Sequence, residues 1–151
     1  MKKAILLFLA LFLLVSCLTG CTKVISPSDE VFTDYEGIYI TIDSVDDGEK
    51  YPVLNVMWHN TTNLNAVFGM GYFIERLDEG RWVDVRTKDF AVIEIACILE
   101  GGDSGIQSYS TEYFNLTKSG IYRIRTEFYV HVDNESVVGS TYATFEVGYE
   151  K

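Results

Sequence analysis

Few cysteines, few histidines and a shortage of basic residues set the first limits on this chain. Of its three cysteines, Cys17, Cys21 and Cys97, two fall within the first 21 of 151 positions. Cleavage before Cys21 with modification of that residue would leave Cys97 as the lone free thiol. An intradomain disulfide is then excluded, and stability must come from an apolar core. A chain near 150 residues can supply one, since it buries ~68–70% of its unfolded surface. The two histidines, His59 and His131, stand in neither HxH nor HxxxH spacing, so convergent zinc ligands are missing. There is no G-x-S-x-G and no assembled Ser/His/Asp set. Beyond the leader, no stretch carries the 3.6-residue apolar stripe of an amphipathic helix. No catalytic residue, metal or cofactor is expected.

Twelve basic residues face 22 acidic ones, a net charge of −10. Residues 1–20 hold two of the basic residues and none of the acidic ones, so the remainder carries −12. Nucleic acid is excluded as a partner, because Lys and Arg contacts to phosphate dominate that affinity. Docking on anionic headgroups is disfavoured for the same reason. The charge does keep a protein dispersed.

The leader is rich in what the rest lacks. Lys2 and Lys3 precede an unbroken apolar run, Ala4 to Val15. Twelve residues at ~1.5 Å each span about 18 Å, too short for a hydrocarbon core of ~30 Å and right for a signal peptide. Leu18-Thr19-Gly20-Cys21 resembles the lipobox of bacterial lipoprotein precursors. That resemblance implies recognition of Leu18, Thr19 and Gly20 by the lipoprotein signal peptidase, a diacylglyceryl group on the sulfur of Cys21, and acylation of its freed amine. Two or more acyl chains hold a protein stably on a membrane. Leu14-Val15-Ser16-Cys17 also fits the box but leaves a shorter apolar core, and an uncleaved anchor helix is the other alternative. The expected organisation is a signal peptide over 1–20, a lipidated Cys21 with a flexible tether over 21–34, and one β-sandwich domain over 35–151. The expected address is the extracytoplasmic face of the cell membrane.

From residue 38 the apolar beat is two. Ile38, Ile40 and Ile42 alternate with Tyr39, Thr41 and Asp43, and Leu54, Val56 and Trp58 with Asn55, Met57 and His59. Tyr122, Ile124, Thr126, Phe128, Val130 and Val132 form the longest such series, and Ala143, Phe145 and Val147 the last. Ile93, Ile95, Cys97 and Leu99 share a phase, which makes Cys97 a small buried hydrophobe. Alternation of this kind places one face in a core and the other in water. Turn residues interrupt it at Asp46-Asp47-Gly48, Asn60–Asn65, Asp78-Glu79-Gly80, Glu100–Ser104, Lys118–Gly120 and Asp133–Ser136. Seven to nine short antiparallel strands so punctuated predict an all-β sandwich.

Three runs then carry a family likeness: Tyr72-Phe73-Ile74-Glu75-Arg76-Leu77 with Gly80-Arg81-Trp82, Leu99-Glu100-Gly101-Gly102, and Gly120-Ile121-Tyr122-Arg123-Ile124. Together they resemble a family of bacterial immunoglobulin-like domains found on Firmicute lipoproteins, over roughly residues 50–130. The resemblance implies an Ig-like sandwich outside the cytoplasm. The family's turn after Leu99 usually carries Pro-Gly, where this chain has Gly101-Gly102. In such folds a tyrosine placed like Tyr122 turns its hydroxyl onto upstream backbone, the tyrosine corner. Ile124 takes the place where antibody-type domains carry a disulfide cysteine.

Candidate sites are few. Arg123, Arg125, Tyr129 and Tyr142 fall on outward phases, and tyrosines beside arginines make binding patches. They are the expected contact surface for a protein or glycan. Asp43, Asp46, Asp47 and Glu49 cluster without EF-hand spacing and read as a solvated turn. Met57, His59 and Met70 are the residues a soft copper site would use. Asn60, Asn115 and Asn134 begin formal glycosylation sequons that read as polar turns. The leading expectation is a non-catalytic, membrane-anchored binding or structural module. Alternatives are a metal-handling lipoprotein and a protease inhibitor acting through Asn60–Met70 and Asp133–Ser140.

Overall fold

The computed structural model describes residues 22–47, 50–92, 95–133 and 135–150, and among them there is strand but no helix. Nine strands follow in order: β1 Thr22–Thr33, β2 Ile38–Asp46, β3 Val53–Asn60, β4 Ala66–Asp78, β5 Arg81–Asp84, β6 Cys97–Leu99, β7 Ser104–Ser110, β8 Gly120–Val132 and β9 Glu135–Glu150. They form two antiparallel sheets. The larger has the order β1-β9-β8-β4-β5, with β6 also on β4, and the smaller is β2-β3-β7. The signal peptide and Cys21 lie outside the described residues.

The period-two series become the facing walls of this sandwich. Ile38, Ile40, Leu54, Val56 and Trp58 come from the smaller sheet, and Tyr122, Ile124, Phe128, Val130, Ala143 and Phe145 from the larger, all fully enclosed. Trp58 sits between the sheets, its ring 4.1 Å from that of Phe68 and edge-on to Phe128 at 6.1 Å. Its indole N–H donates to the Tyr109 hydroxyl at 3.3 Å. Thr141 joins the layers along one side: its hydroxyl donates to Phe32 O at 2.8 Å and accepts from the Ile40 N–H at 3.3 Å.

Residues 22–33, expected as part of a flexible tether over 21–34, are instead the edge strand β1. β1 pairs with β9 from Thr22↔Glu150 to Thr33↔Thr141, with a break in register between Pro27 and Val31. That break erases the alternation that would have marked a strand, and a proline is tolerated on an edge. A second correction concerns Ile95, which is 51% exposed, whereas Leu99 is buried. Only Cys97–Leu99 pair with β4, so upstream residues are released from the strand phase; Ile93 and Glu94 fall outside the described residues. Cys97 is half-buried against the core.

The Tyr122 hydroxyl donates to Lys118 O at 2.7 Å, while its ring stacks on Phe145. Gly120, at φ 142°, turns the chain between them in a region L side chains avoid. Tyr122→Phe is expected to cost about 1–3 kcal/mol, because the carbonyl loses its donor at a buried ring. A loss under ~0.3 kcal/mol in denaturant melts would contradict this role.

Two other core tyrosines are expected to make the fold alkali-sensitive. Burial pushes both Tyr72 and Tyr109 up to about 12 from an ordinary 10. The folded state therefore holds these protons more tightly than the unfolded chain does. Their contribution to stability is complete below pH 10 and lost as pH rises from 10 to 12. Melting temperature is expected to fall across that window, with phenolate absorbance appearing together with unfolding.

Candidate binding face

The outward side of the larger sheet is where register assembles side chains of one kind. β1, β9, β8 and β4 place Phe32, Tyr142, Arg125 and Phe73 directly opposite one another in a single row. The next row runs Thr144, Arg123, Glu75, Asp84. Phe32 and Tyr142 stack at 5.0 Å. Arg123 lies 4.5 Å over Tyr142 and 4.4 Å over Trp82. Phe73 carries two guanidinium groups, that of Arg125 at 4.6 Å and that of Arg86 at 4.8 Å. Glu75 receives Arg123 at 2.6 Å and Arg125 at 3.7 Å.

Each contact of this kind is worth about 0.5–1 kcal/mol when exposed and more when desolvated. The Glu75 carboxylate and the Arg123 side chain are both only 15% exposed, well beyond the surface pairs whose median worth is ~0–1 kcal/mol. The arginines are thus held in place, with their planes fixed against rings. Their charge is compensated locally, in a chain that is otherwise strongly acidic.

Toward the other end of the face the character changes. Val138, Tyr129, Val67 and Ile98 form a row across β9, β8, β4 and β6. Ile98 is 67% exposed, Val138 56% and Tyr129 45%. Between this apolar row and the arginine row lies a recess of about 180 Å³, lined by Gly69, Gly71, Phe73, Glu127 and Tyr129.

Of the four residues expected to form a patch, three meet. Arg125 and Tyr142 are cross-strand partners, and Arg123 lies over the Tyr142 ring. Tyr129 shares their face but stands four residues along β8 from Arg125, about 14 Å at ~3.4 Å per residue. Sequence reasoning missed Phe32, Phe73, Glu75, Trp82 and Arg86. The outward phase opposite Tyr72 and Ile74 could have shown Phe73 and Glu75. Phe32 was hidden in the segment read as a tether.

The remaining candidates stay apart. Met57 and His59 are on β3 of the smaller sheet, whereas Met70 is on β4 of the larger, so the copper trio is not gathered. His59 is engaged by a 2.9 Å bond with the Thr41 hydroxyl and by stacking on Tyr39 at 4.6 Å, and partial burial lowers its pKa. Asp43 and Asp46 are on β2, and Glu49 lies outside the described residues. Among the described residues no three His, Cys, Asp or Glu are grouped to hold a metal ion.

The two loops nominated for protease inhibition are mostly strand. Residues 66–70 open β4 and residues 135–140 open β9, and Val132↔Glu135 closes the β8–β9 hairpin. The Asn60–Asn65 turn is held down by Asn60 itself, 1% exposed and bonded to Leu64 O, Leu99 O and Glu100 O. The buried Asn60 side chain is engaged by these bonds.

A family model described as Bacterial Ig-like domain matches residues 34–146 of the chain. No curated protein matches it.

Proposed function

The chain belongs to the bacterial Ig-like domain family, and from that premise we propose a non-catalytic module, lipid-anchored through Cys21 outside the cytoplasmic membrane, that binds a surface macromolecule through the outer face of its larger sheet. The observation that carries the reading is the row Phe32–Tyr142–Arg125–Phe73, four strands wide and turned away from the core. Aromatic side chains and arginines dominate the energetic centres of interfaces. Here Glu75 and the neighbouring rings already hold the arginines, which lowers the ordering cost of binding. The anchoring half of the proposal rests on the lipobox-like Leu18-Thr19-Gly20-Cys21.

Both halves are tested in one design on intact cells. A photo-reactive residue at Tyr142 is expected to crosslink a discrete partner, while the same probe at Met57 on the opposite sheet does not. Cys21→Ala is expected to move the protein out of the membrane fraction and to abolish fatty-acid labelling. Equal crosslinking from both sheets would overturn the binding face. Persistent labelling in Cys21→Ala would transfer the anchor to Cys17.

A further inference from the structure

We infer that the recess between Tyr129 and Phe73 is a subsite for one ring of a neutral saccharide; this rests on the outer face being the binding face and gives it a ligand class. Three observations converge on it. The first is the pair of glycines that floor it. Neither Gly69 nor Gly71 has a positive φ. A Cβ built on Gly71 would meet nothing within 4 Å, and one on Gly69 would meet only ordinary contacts, with Ile95 O at 3.8 Å. The register break between Phe68 and Tyr72 thus does not demand glycine at either position. Glycine inside a strand weakens it and often marks a bulge, as here, or a place where a ligand or another backbone comes close. Both glycines line the recess, and neither leaves a side chain to narrow it.

The second is Tyr129. Phe32, Tyr142, Trp82 and Phe73 are all occupied, by one another or by guanidinium groups. Tyr129 is 45% exposed, and among the described residues its ring enters no ring–ring or cation–π contact and its hydroxyl no hydrogen bond. A free aromatic face beside a recess suits the C–H face of a sugar ring. The third is the polar edge. Glu127 offers a carboxylate to sugar hydroxyls, and Arg125 stands 3.5 Å from it with donors.

Size and charge narrow the ligand. The recess, at about 180 Å³, is smaller than the ~300–1,000 Å³ of sites for drug-sized molecules, so it takes one ring of a longer chain. An anionic sugar would meet a protein of net charge −10. A cation would find Glu127 already shared with Arg125.

The test uses the full chain as the cell produces it, extracted in a detergent without a sugar headgroup. Oligosaccharides of glucose, N-acetylglucosamine, galactose and mannose are titrated while backbone amides are followed by NMR. At least one is expected to bind in the roughly millimolar range of a small ligand, shifting Gly69, Gly71, Glu127 and Tyr129. Gly71→Val, which fills the recess, and Tyr129→Ala, which removes its wall, should each weaken binding about tenfold or more. Tyr129→Phe should retain it. Should Gly71→Val melt early, Tyr129→Ala decides alone. No shift at these amides with any of these sugars, or binding that ignores both variants, would each overturn the subsite. None of these outcomes touches the Tyr142 crosslink, so the subsite can fail while the binding face stands.

Discussion

Asn60→Ala is expected to lower stability by about 3–5 kcal/mol, a large effect for a residue that reads in sequence as an ordinary turn asparagine. Its side-chain amide donates to Leu64 O at 2.7 Å, Glu100 O at 3.1 Å and Leu99 O at 3.2 Å. With two hydrogens for three carbonyls, one bond is shared. Its oxygen accepts from the Thr62 N–H at 3.1 Å and from the Thr62 hydroxyl at 2.7 Å. One enclosed side chain thus ties the β3–β4 turn to the β6–β7 turn. The same contact explains Gly101, whose added Cβ would stand 2.7 Å from the backbone carbon of Asn63. Each buried polar group left without a partner costs about 1–3 kcal/mol, and alanine strands several together. Asn60→Asp should be no better, since it turns a donor into an acceptor facing carbonyls. A cost below about 1 kcal/mol in urea melts would mean that water replaces the amide.

Trp58→Ala is expected to cost a similar ~3–5 kcal/mol, the range for deleting a large aromatic from a core. Trp58 is fully enclosed, lies on β3, and touches Phe68 and Phe128 of the opposite sheet. Its loss would open a cavity between the layers and leave the buried Tyr109 hydroxyl without its indole donor. Trp58→Phe keeps part of the packing and should cost less. Because Trp82 is the other of the two tryptophans, circular dichroism is the cleaner measure of unfolding. A Trp58→Ala protein within about 1 kcal/mol of the parent would show that the sheets are held by contacts elsewhere.

These two residues mark how far the sequence could be read. Trp58 was legible: it stands in phase with Leu54 and Val56, and a period-two beat places alternate residues in a core whatever the fold. The role of Asn60 was not, because its partners Leu99 and Glu100 lie about forty positions away and share no pattern with it. Arg125 and Tyr142 were nominated together because an outward phase can be seen in each strand separately. Phe32 could not join them, since the shift between Pro27 and Val31 hides the strand on which it lies. Leu99 was placed in the core correctly, but Cys97, expected to be buried, is only half-buried, and Ile95 left the phase where pairing to β4 stops.

By itself the sequence determined the sheet-forming class and the core strands, because alternation is a local property of the chain. It also carries the lipobox-like leader on which the proposed address depends. Only the tertiary structure decided which outward side chains meet. A cross-strand row depends on strand order and on the register breaks in β1 and β4, and a one-residue slip would send every side chain to the opposite face.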